Sequence, residues 1–300
     1  MSIHNLITVL GPTASGKTKL AVELAQLLSG EVISADSRQV YRGLDIGSGK
    51  DLEEYKDVPY HLIDIVDPGY EYNIFEFQQD FIKAFEDITN RHKTPILAGG
   101  SALYVDTILK GYRLVKVPQD IELRAELATH SDDELIKKLL TLKPKQHNTT
   151  DLKDRDRLVR AIEIAIGEQQ ANAVLPPLPK IDPLIFAIKW HREVVRERIT
   201  QRLKSRLEEG LIEEVEQLHT NGVSWQTFDF YGLEYRFVAQ YLQNQINKND
   251  LFQKLNSAIH LFAKKQDTWL RRLERNGTKL HWLEGEGNVL AQAMKVIAKN

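Results

Sequence analysis

An α/β fold of the P-loop NTPase-like kind, a parallel sheet flanked by helices and carrying a helical insertion domain, is predicted by three observations. Short apolar runs alternate with helical patterns through the first hundred residues, a complete G-x-x-x-x-G-K-[ST] loop follows the first run, and the β signal stops between about residues 118 and 182 before resuming.

The run 6–10 reads as the first strand. Behind it stands Gly-Pro-Thr-Ala-Ser-Gly-Lys-Thr, residues 11–18. Gly11 and Gly16 let the backbone curl so that successive N–H groups face one anion at a helix N-terminus. Pro12, Thr13, Ala14 and Ser15 complete the cradle for a di- or triphosphate, Lys17 would reach the outer phosphates, and Thr18 would hold a magnesium ion. Leu20, Leu24 and Leu27 give helical periodicity over 17–28. Strands are predicted at 31–35, 61–66 and 95–98, with a helix over 74–90 and another opening after Gly99-Gly100-Ser101. Alternating strands and helices imply right-handed crossovers and ligand binding at the carboxyl ends of the strands. The P-loop, Asp36-Ser37 and Gly99-Gly100-Ser101 all fall at such ends.

The helical stretch from about 118 carries Leu123, Leu127, Leu135, Leu139, Leu158, Ile162 and Ile166 and ends in Pro176-Pro177-Leu178-Pro179. Residues 1–117 and 183–300 are thus expected to form the core, and 118–182 the insertion. A strand at 184–190 returns to the sheet. One long helix over 191–218, helices at 233–246 and 250–275, a strand at 278–283 and a closing helix at 289–299 complete the chain.

At 300 residues, 42% hydrophobic and 27% charged, the composition is that of an ordinary soluble protein. No apolar run nears 18 residues and no secretory pattern opens the sequence, so a cytoplasmic protein without membrane contact is expected. Zero cysteines exclude disulfides, a cysteine nucleophile and cysteine-based zinc sites. Net charge is −2, but residues 1–111 carry 10 basic and 16 acidic side chains while 189–275 carry 15 and 12. That asymmetry is compatible with an RNA-facing second half and equally with none.

Asp36, at a strand end beside the phosphate loop, can take a proton from a nucleophile or hold a metal through water; a helix N-cap is the plain alternative. Ser101 can donate to a phosphate or a base, or merely cap the next helix. Arg198, Arg202 and Arg206 share one helix face, which would clamp phosphate if turned inward; interleaved Glu193, Glu197, Glu208 and Glu209 make a solvated, ion-paired face the readier reading. The histidines, His147 among them, lack metal-ligand spacing and are given no role.

These segments together resemble the tRNA dimethylallyltransferase (tRNA isopentenyltransferase) family over nearly the whole chain. The P-loop, Ile33-Ser34-Ala35-Asp36-Ser37, Gln39-Val40-Tyr41, Gly47-Ser48-Gly49-Lys50, Gly99-Gly100-Ser101, Asp156-Arg157-Leu158-Val159-Arg160, Glu214-Val215 and Ala263-Lys264-Lys265-Gln266 with Thr268-Trp269 stand in the family's order. The resemblance implies that the loop holds the pyrophosphate of dimethylallyl diphosphate with Mg²⁺. The acceptor would be the N6 amine of the adenosine 3′ to the anticodon in tRNAs reading codons that begin with U. Asp36 would be the general base, and Lys17, Thr18, Ser101 and Arg198 would stabilise the departing diphosphate. Asp36, Ser37, Arg38, Gln39, Ser101 and Arg124, with Asp156, Arg157, Leu158, Val159 and Arg160, would touch tRNA, the insertion gripping the anticodon stem-loop. A monomer is expected. The family's Gly-Tyr-Lys/Arg-Glu/Gln motif survives only as Gly232-Leu233-Glu234-Tyr235-Arg236, about two residues longer, which leaves its role open and could signal altered tRNA preference or a diverged paralogue. The missing cysteines exclude the zinc finger of the eukaryotic branch. An ATP-dependent kinase of nucleotides or small metabolites, a prenyltransferase acting on AMP, and an inactive RNA-binding relative stay open as alternatives.

Overall fold

The computed structural model describes residues 4–144, 152, 154–170 and 177–299. His147 and part of the Pro-rich segment therefore lie outside the described residues. The chain divides into two compact units, Met1–Tyr112 with Pro179–Asn300, and Arg113–Leu178.

In chain order the elements are β1 (Leu6–Leu10), α1 (Lys17–Leu28), β2 (Gly30–Ala35), β3 (Tyr60–His61), α2 (Ile74–Asn90), β4 (Thr94–Gly99) and α3 (Ala102–Leu109). The smaller unit contributes α4 (Ile121–Ala128), α5 (Asp132–Leu142) and α6 (Arg155–Gln170). The larger unit resumes with β5 (Pro183–Lys189), α7 (Arg192–Glu208), α8 (Leu211–Thr220), α9 (Trp225–Phe230), α10 (Leu233–Leu242), α11 (Lys248–Arg275), β6 (His281–Glu284) and α12 (Val289–Ile297).

The strands form one parallel sheet in the order β3-β2-β4-β1-β5-β6. Every residue of β1 and β2 is buried because helices cover both faces, which is why these strands read as unbroken apolar runs. Side chains alternate between two cores. Leu6, Leu10, Ile33 and Leu97 join Phe77 and Phe81 of α2, while Ile7, Val9, Val32 and Ile96 join Leu20 and Leu24 of α1. Register places Leu10, Gly99 and Ala35 side by side at the ends of β1, β4 and β2, so the loops leaving these strands start from one edge.

Two predicted elements came out differently. The strand at 61–66 shrinks to Tyr60–His61, because Leu62 and Asp64 take left-handed φ values of 62° and 55° and Asp64 turns to ion-pair with the buried Lys50. The long helix over 191–218 breaks between Glu208 and Leu211, where Gly210 sits at φ 107°. The short α9, capped by Ser224 on the Thr227 N–H, had no periodicity to announce it.

In the smaller unit, Leu127, Leu135, Leu139, Leu158 and Ile162 make a separate core. Leu158, expected at an RNA surface, is 1% exposed and is corrected to a packing residue. Glu163 accepts from Arg124 Nε and Nη2 at 2.7 and 2.9 Å, from Arg160 Nη1 at 2.9 Å and from the Asp120 N–H at 3.0 Å. Burial alone would push its carboxyl up, but these bonds outweigh burial and hold its pKa at about 2. Arg124 and Arg160 thus brace the helices, while Asp156 and Arg157 are exposed and Val159 is half-buried.

Candidate active site

The phosphate loop is built on two left-handed residues, Ala14 at φ 61° and Gly16 at φ 86°. A Cβ on Gly11 would stand 2.5 Å from Ser15 Oγ, so the first glycine serves close packing within the loop. α1 begins at Lys17, and the N–H groups of its first turn have no partner within the helix. Three side chains from distant segments pin the backbone of three successive loop residues. Gln266 Oε1 accepts from the Thr13 N–H at 2.8 Å, Arg198 Nε donates to Ala14 O at 2.8 Å, and Trp190 Nε1 donates to Ser15 O at 3.0 Å. The Arg198 guanidinium also lies 4.5 Å from the centre of the Trp190 ring.

At the end of β2, Asp36 Oδ1 accepts from the Arg38 N–H at 2.9 Å, closing a tight turn rather than starting a helix. Ser101 does not cap α3. Its Oγ instead accepts from the Ser37 N–H at 3.0 Å, joining the end of β4 to the Asp36 turn. Gly99 permits this approach, since a Cβ there would fall 2.3 Å from Ala35 O.

The stripe Arg198, Arg202 and Arg206 faces the site, against the solvated reading of these residues. Gly49, at φ 63°, leaves the room: a Cβ there would meet Arg206 Nη2 at 1.7 Å and Arg202 Nη2 at 2.7 Å. Arg202 pairs with Asp51, and the buried Arg206 reaches Gly47 O at 3.4 Å and Glu234 Oε1 at 3.6 Å. The loop beneath is held by Glu214, whose carboxylate accepts from the N–H groups of Asp45, Ile46 and Gly47 at 2.9, 2.6 and 3.0 Å and from Tyr235 OH at 2.8 Å. Tyr235 OH in turn accepts from the Ser48 N–H at 3.1 Å. Lys50 is buried below, donating to Tyr41 O at 2.7 Å and to Asp45 and Asp64. Gln39 links its layers, accepting from Ser34 Oγ at 2.8 Å and donating to Gly49 O at 3.1 Å.

These parts enclose a cavity of about 600 Å³ whose walls include Lys17, Thr18, Asp36, Ser37, Arg38, Gln39, Ser101, Arg202, Arg206, Glu234 and Lys265. Five cations against two carboxylates make it an anion site. Leu103, Phe230, Phe262 and Trp269 add apolar wall, and Arg38 lies 5.0 Å from the centre of the Phe230 ring. A groove of about 530 Å³, which includes Ala14, Asp51, Glu54 and Arg198, shares Lys17, Thr18 and Arg202 with the cavity. Burial lowers the Lys17 pKa to about 8, with Asp36 opposing and Arg202 and Arg206 adding to the fall. Burial likewise lowers Arg206 and raises Glu234. Among the described residues no three His, Cys, Asp or Glu side chains gather to hold a metal.

The Gly232 motif, whose role the sequence left open, lies at the site: Gly232, Leu233 and Glu234 line the cavity and Tyr235 holds the adjoining loop. Sequence reading weighed Arg202 and Arg206 as a phosphate clamp but favoured a solvated face, and it gave Glu214 and Gln266 no site role; the arginine spacing and the Lys-Lys-Gln motif were the signals available.

The family model described as IPP transferase matches residues 39–273. The chain is 60% identical over 296 residues to tRNA dimethylallyltransferase 1 of Geotalea uraniireducens, covering 99% of this chain and 98% of that protein. It is 58% identical over 294 residues to tRNA dimethylallyltransferase 2 of Trichlorobacter lovleyi, covering 98% and 96%. Among solved structures, the full-length tRNA isopentenylpyrophosphate transferase of Bacillus halodurans is similar with a TM-score of 0.72 at 31% identity, over 99% of this chain and 95% of that one. A eukaryotic dimethylallyltransferase captured acting on tRNA shares the fold, with a TM-score of 0.77 at 24% identity over 98% and 77%.

Proposed function

The chain belongs to the tRNA dimethylallyltransferase family and is a tRNA-prenylating enzyme, and on that premise we propose the following reaction at this site. The donor is dimethylallyl diphosphate. The acceptor is the N6 amine of the adenosine 3′ to the anticodon in tRNAs that read codons beginning with U. One observation carries this reading: the cations of the phosphate loop and α7 share a single cavity with the carboxylate of Asp36.

In the proposed step, N6 attacks the allylic carbon as the C–O bond to diphosphate breaks. The bonding pair leaves with the diphosphate, and the N6 proton passes to Asp36. Lys17, Arg202, Arg206 and the N–H groups at the start of α1 face the charge that grows on the leaving group, where fixed donors typically contribute about 10²–10³ in rate apiece. Arg198, with Nε committed to Ala14 O, keeps its terminal nitrogens for the diphosphate. Ser101 acts through Ser37, holding the Asp36 turn. To reach so enclosed a site the adenine must leave its stack, as bases do in other enzymes that modify them, with Arg38 and Phe230 on the cavity wall.

Mg²⁺ keeps most of its waters and takes phosphate oxygens with few protein ligands, so the Thr18 hydroxyl, with Asp51 and Glu54 in the same groove, suits it. When bound it would neutralise charge on the diphosphate. The smaller helical unit is the proposed grip on the anticodon stem-loop, where the exposed Arg157, 3.9 Å from Asp154, would exchange that exposed pairing for a phosphate. No described helix is long and apolar enough to cross a membrane; a monomer in the cytoplasm is proposed.

The test is to incubate the protein with dimethylallyl diphosphate, Mg²⁺ and unmodified tRNA, and to find one added dimethylallyl group on the anticodon-loop adenosine by mass. AMP in parallel distinguishes an acceptor of free nucleotide. Transfer of phosphate from ATP, without prenylation, would contradict the reading.

A further inference from the structure

We propose that Gln266 is a positioning residue that sets the distance between the diphosphate loop and the turn bearing Asp36; the inference rests on the prenyl-transfer reading above. The Gln266 side chain is buried and spends both ends of its amide on backbone. Oε1 accepts from the Thr13 N–H at 2.8 Å, and Nε2 donates to Gly100 O at 3.1 Å. Thr13 belongs to the loop that holds the leaving group. Gly100 precedes Ser101, which holds the Ser37 N–H at 3.0 Å beside Asp36. One side chain of α11 therefore ties the leaving-group side of the cavity to the base side.

Packing at Gly100 supports this use. A Cβ there would fall 2.5 Å from Gln266 Nε2, with no other atom nearer than 3.5 Å, and Gly100 is absent from the glycines with positive φ. The missing side chain thus makes room for the glutamine amide rather than for a left-handed turn. α11 is braced three residues further on, where Trp269 Nε1 donates to Asp106 Oδ1 at 3.1 Å on α3, the helix that follows Ser101. Glutamine is also the side chain of this length that both accepts and donates: glutamate only accepts, and methionine lacks a strong donor or acceptor. Displacement chemistry needs nucleophile, carbon and leaving oxygen in line, and misplacement by about 1 Å can cost on the order of 10²-fold.

The test compares the unaltered protein with Gln266→Met, Gln266→Glu, Gly100→Ala and the double variant Gly100→Ala/Gln266→Met. Expected are losses of about tenfold or more in kcat for each single variant, with the Kd values for inorganic diphosphate and for tRNA moving less than about threefold. The double variant should be no worse than Gln266→Met alone, since the added methyl acts by displacing the same amide. A folded Gln266→Met with kcat within about twofold, multiplying losses in the double variant, or a loss confined to diphosphate Kd would each overturn the inference. Should Gln266→Met fail to fold, Gln266→Glu, which keeps the Thr13 bond, and Gly100→Ala decide it. An unaltered protein that does not prenylate tRNA overturns reading and inference together; an active one with unaffected variants overturns the inference alone.

Discussion

Raising the pH is expected to weaken donor capture before it harms the fold. The Lys17 ammonium loses hydration in the cavity, Asp36 recovers part of that loss, and Arg202 and Arg206 add repulsion, which brings its pKa from 10.5 to about 8. In the free protein it is then charged to about nine-tenths at pH 7, one-half at pH 8 and one-tenth at pH 9. Because kcat/KM reports the free enzyme, its value for dimethylallyl diphosphate should fall about tenfold between pH 7 and 9 with a midpoint near 8. Stability takes the opposite sign. Between about 8 and 10.5 the folded chain binds fewer protons at Lys17 than the unfolded chain, so this group's contribution to stability rises with pH across that window. Initial rates at subsaturating donor and saturating tRNA measure the limb. Lys17→Arg, charged throughout, should lower the rate and flatten the limb. A falling limb with the same midpoint in Lys17→Arg would assign it to another group and refute the reasoning.

Asp36→Asn keeps the acceptor that holds the Arg38 N–H but removes the proposed base, so turnover should fall about 10²–10⁴-fold while tRNA affinity in a filter-binding assay stays within about threefold; comparable losses in both would contradict the role. Gly49→Ala puts a methyl 1.7 Å from Arg206 Nη2 at a left-handed φ, and should cost about 1–3 kcal/mol of stability by thermal melting and raise the donor KM. Glu163→Ala removes the carboxylate shared by Arg124 and Arg160, both more than one-third exposed, and should destabilise the smaller unit by about 1–3 kcal/mol, seen as protease cleavage within residues 113–178. Because its pKa is depressed to about 2 from 4.5, the stability Glu163 provides is fully present above pH 4.5 and is lost as pH falls toward 2.

The sheet and the phosphate loop were legible because their signals are local. Strands covered on both faces read as apolar runs, and the phosphate loop needs glycine at 16 for a left-handed φ and at 11 for close packing against Ser15. The edge strand was not legible, since Asp64 serves Lys50 rather than the ladder. Nor was the arginine stripe: Arg202 and Arg206 are spaced as on any ion-paired helix, and what turns them to use is the absence of a Cβ at Gly49, far away in sequence. Glu214 and Gln266 escaped for a related reason, because each acts on backbone groups of distant segments, and such groups leave no mark of their partner in a sequence.

Holding Lys17, Arg38, Arg202, Arg206 and Lys265 around one cavity costs free energy, first because Lys17 and Arg206 lose hydration and then because Arg202 repels both; Asp36 and Glu234 offset this only in part, and both pKa values are lowered. A multivalent anion relieves that repulsion, so diphosphate should stabilise this protein out of proportion to its size. Inorganic diphosphate at a hundred times its Kd should add about 2.7 kcal/mol, raising Tm by several degrees. Arg206→Ala removes one buried cation and should raise the unliganded Tm relative to other cavity-forming truncations while reducing the diphosphate shift. Sulfate at matched ionic strength is the control. An equal shift with sulfate would mean general screening, and no shift with diphosphate would mean that the cations do not converge on one ligand.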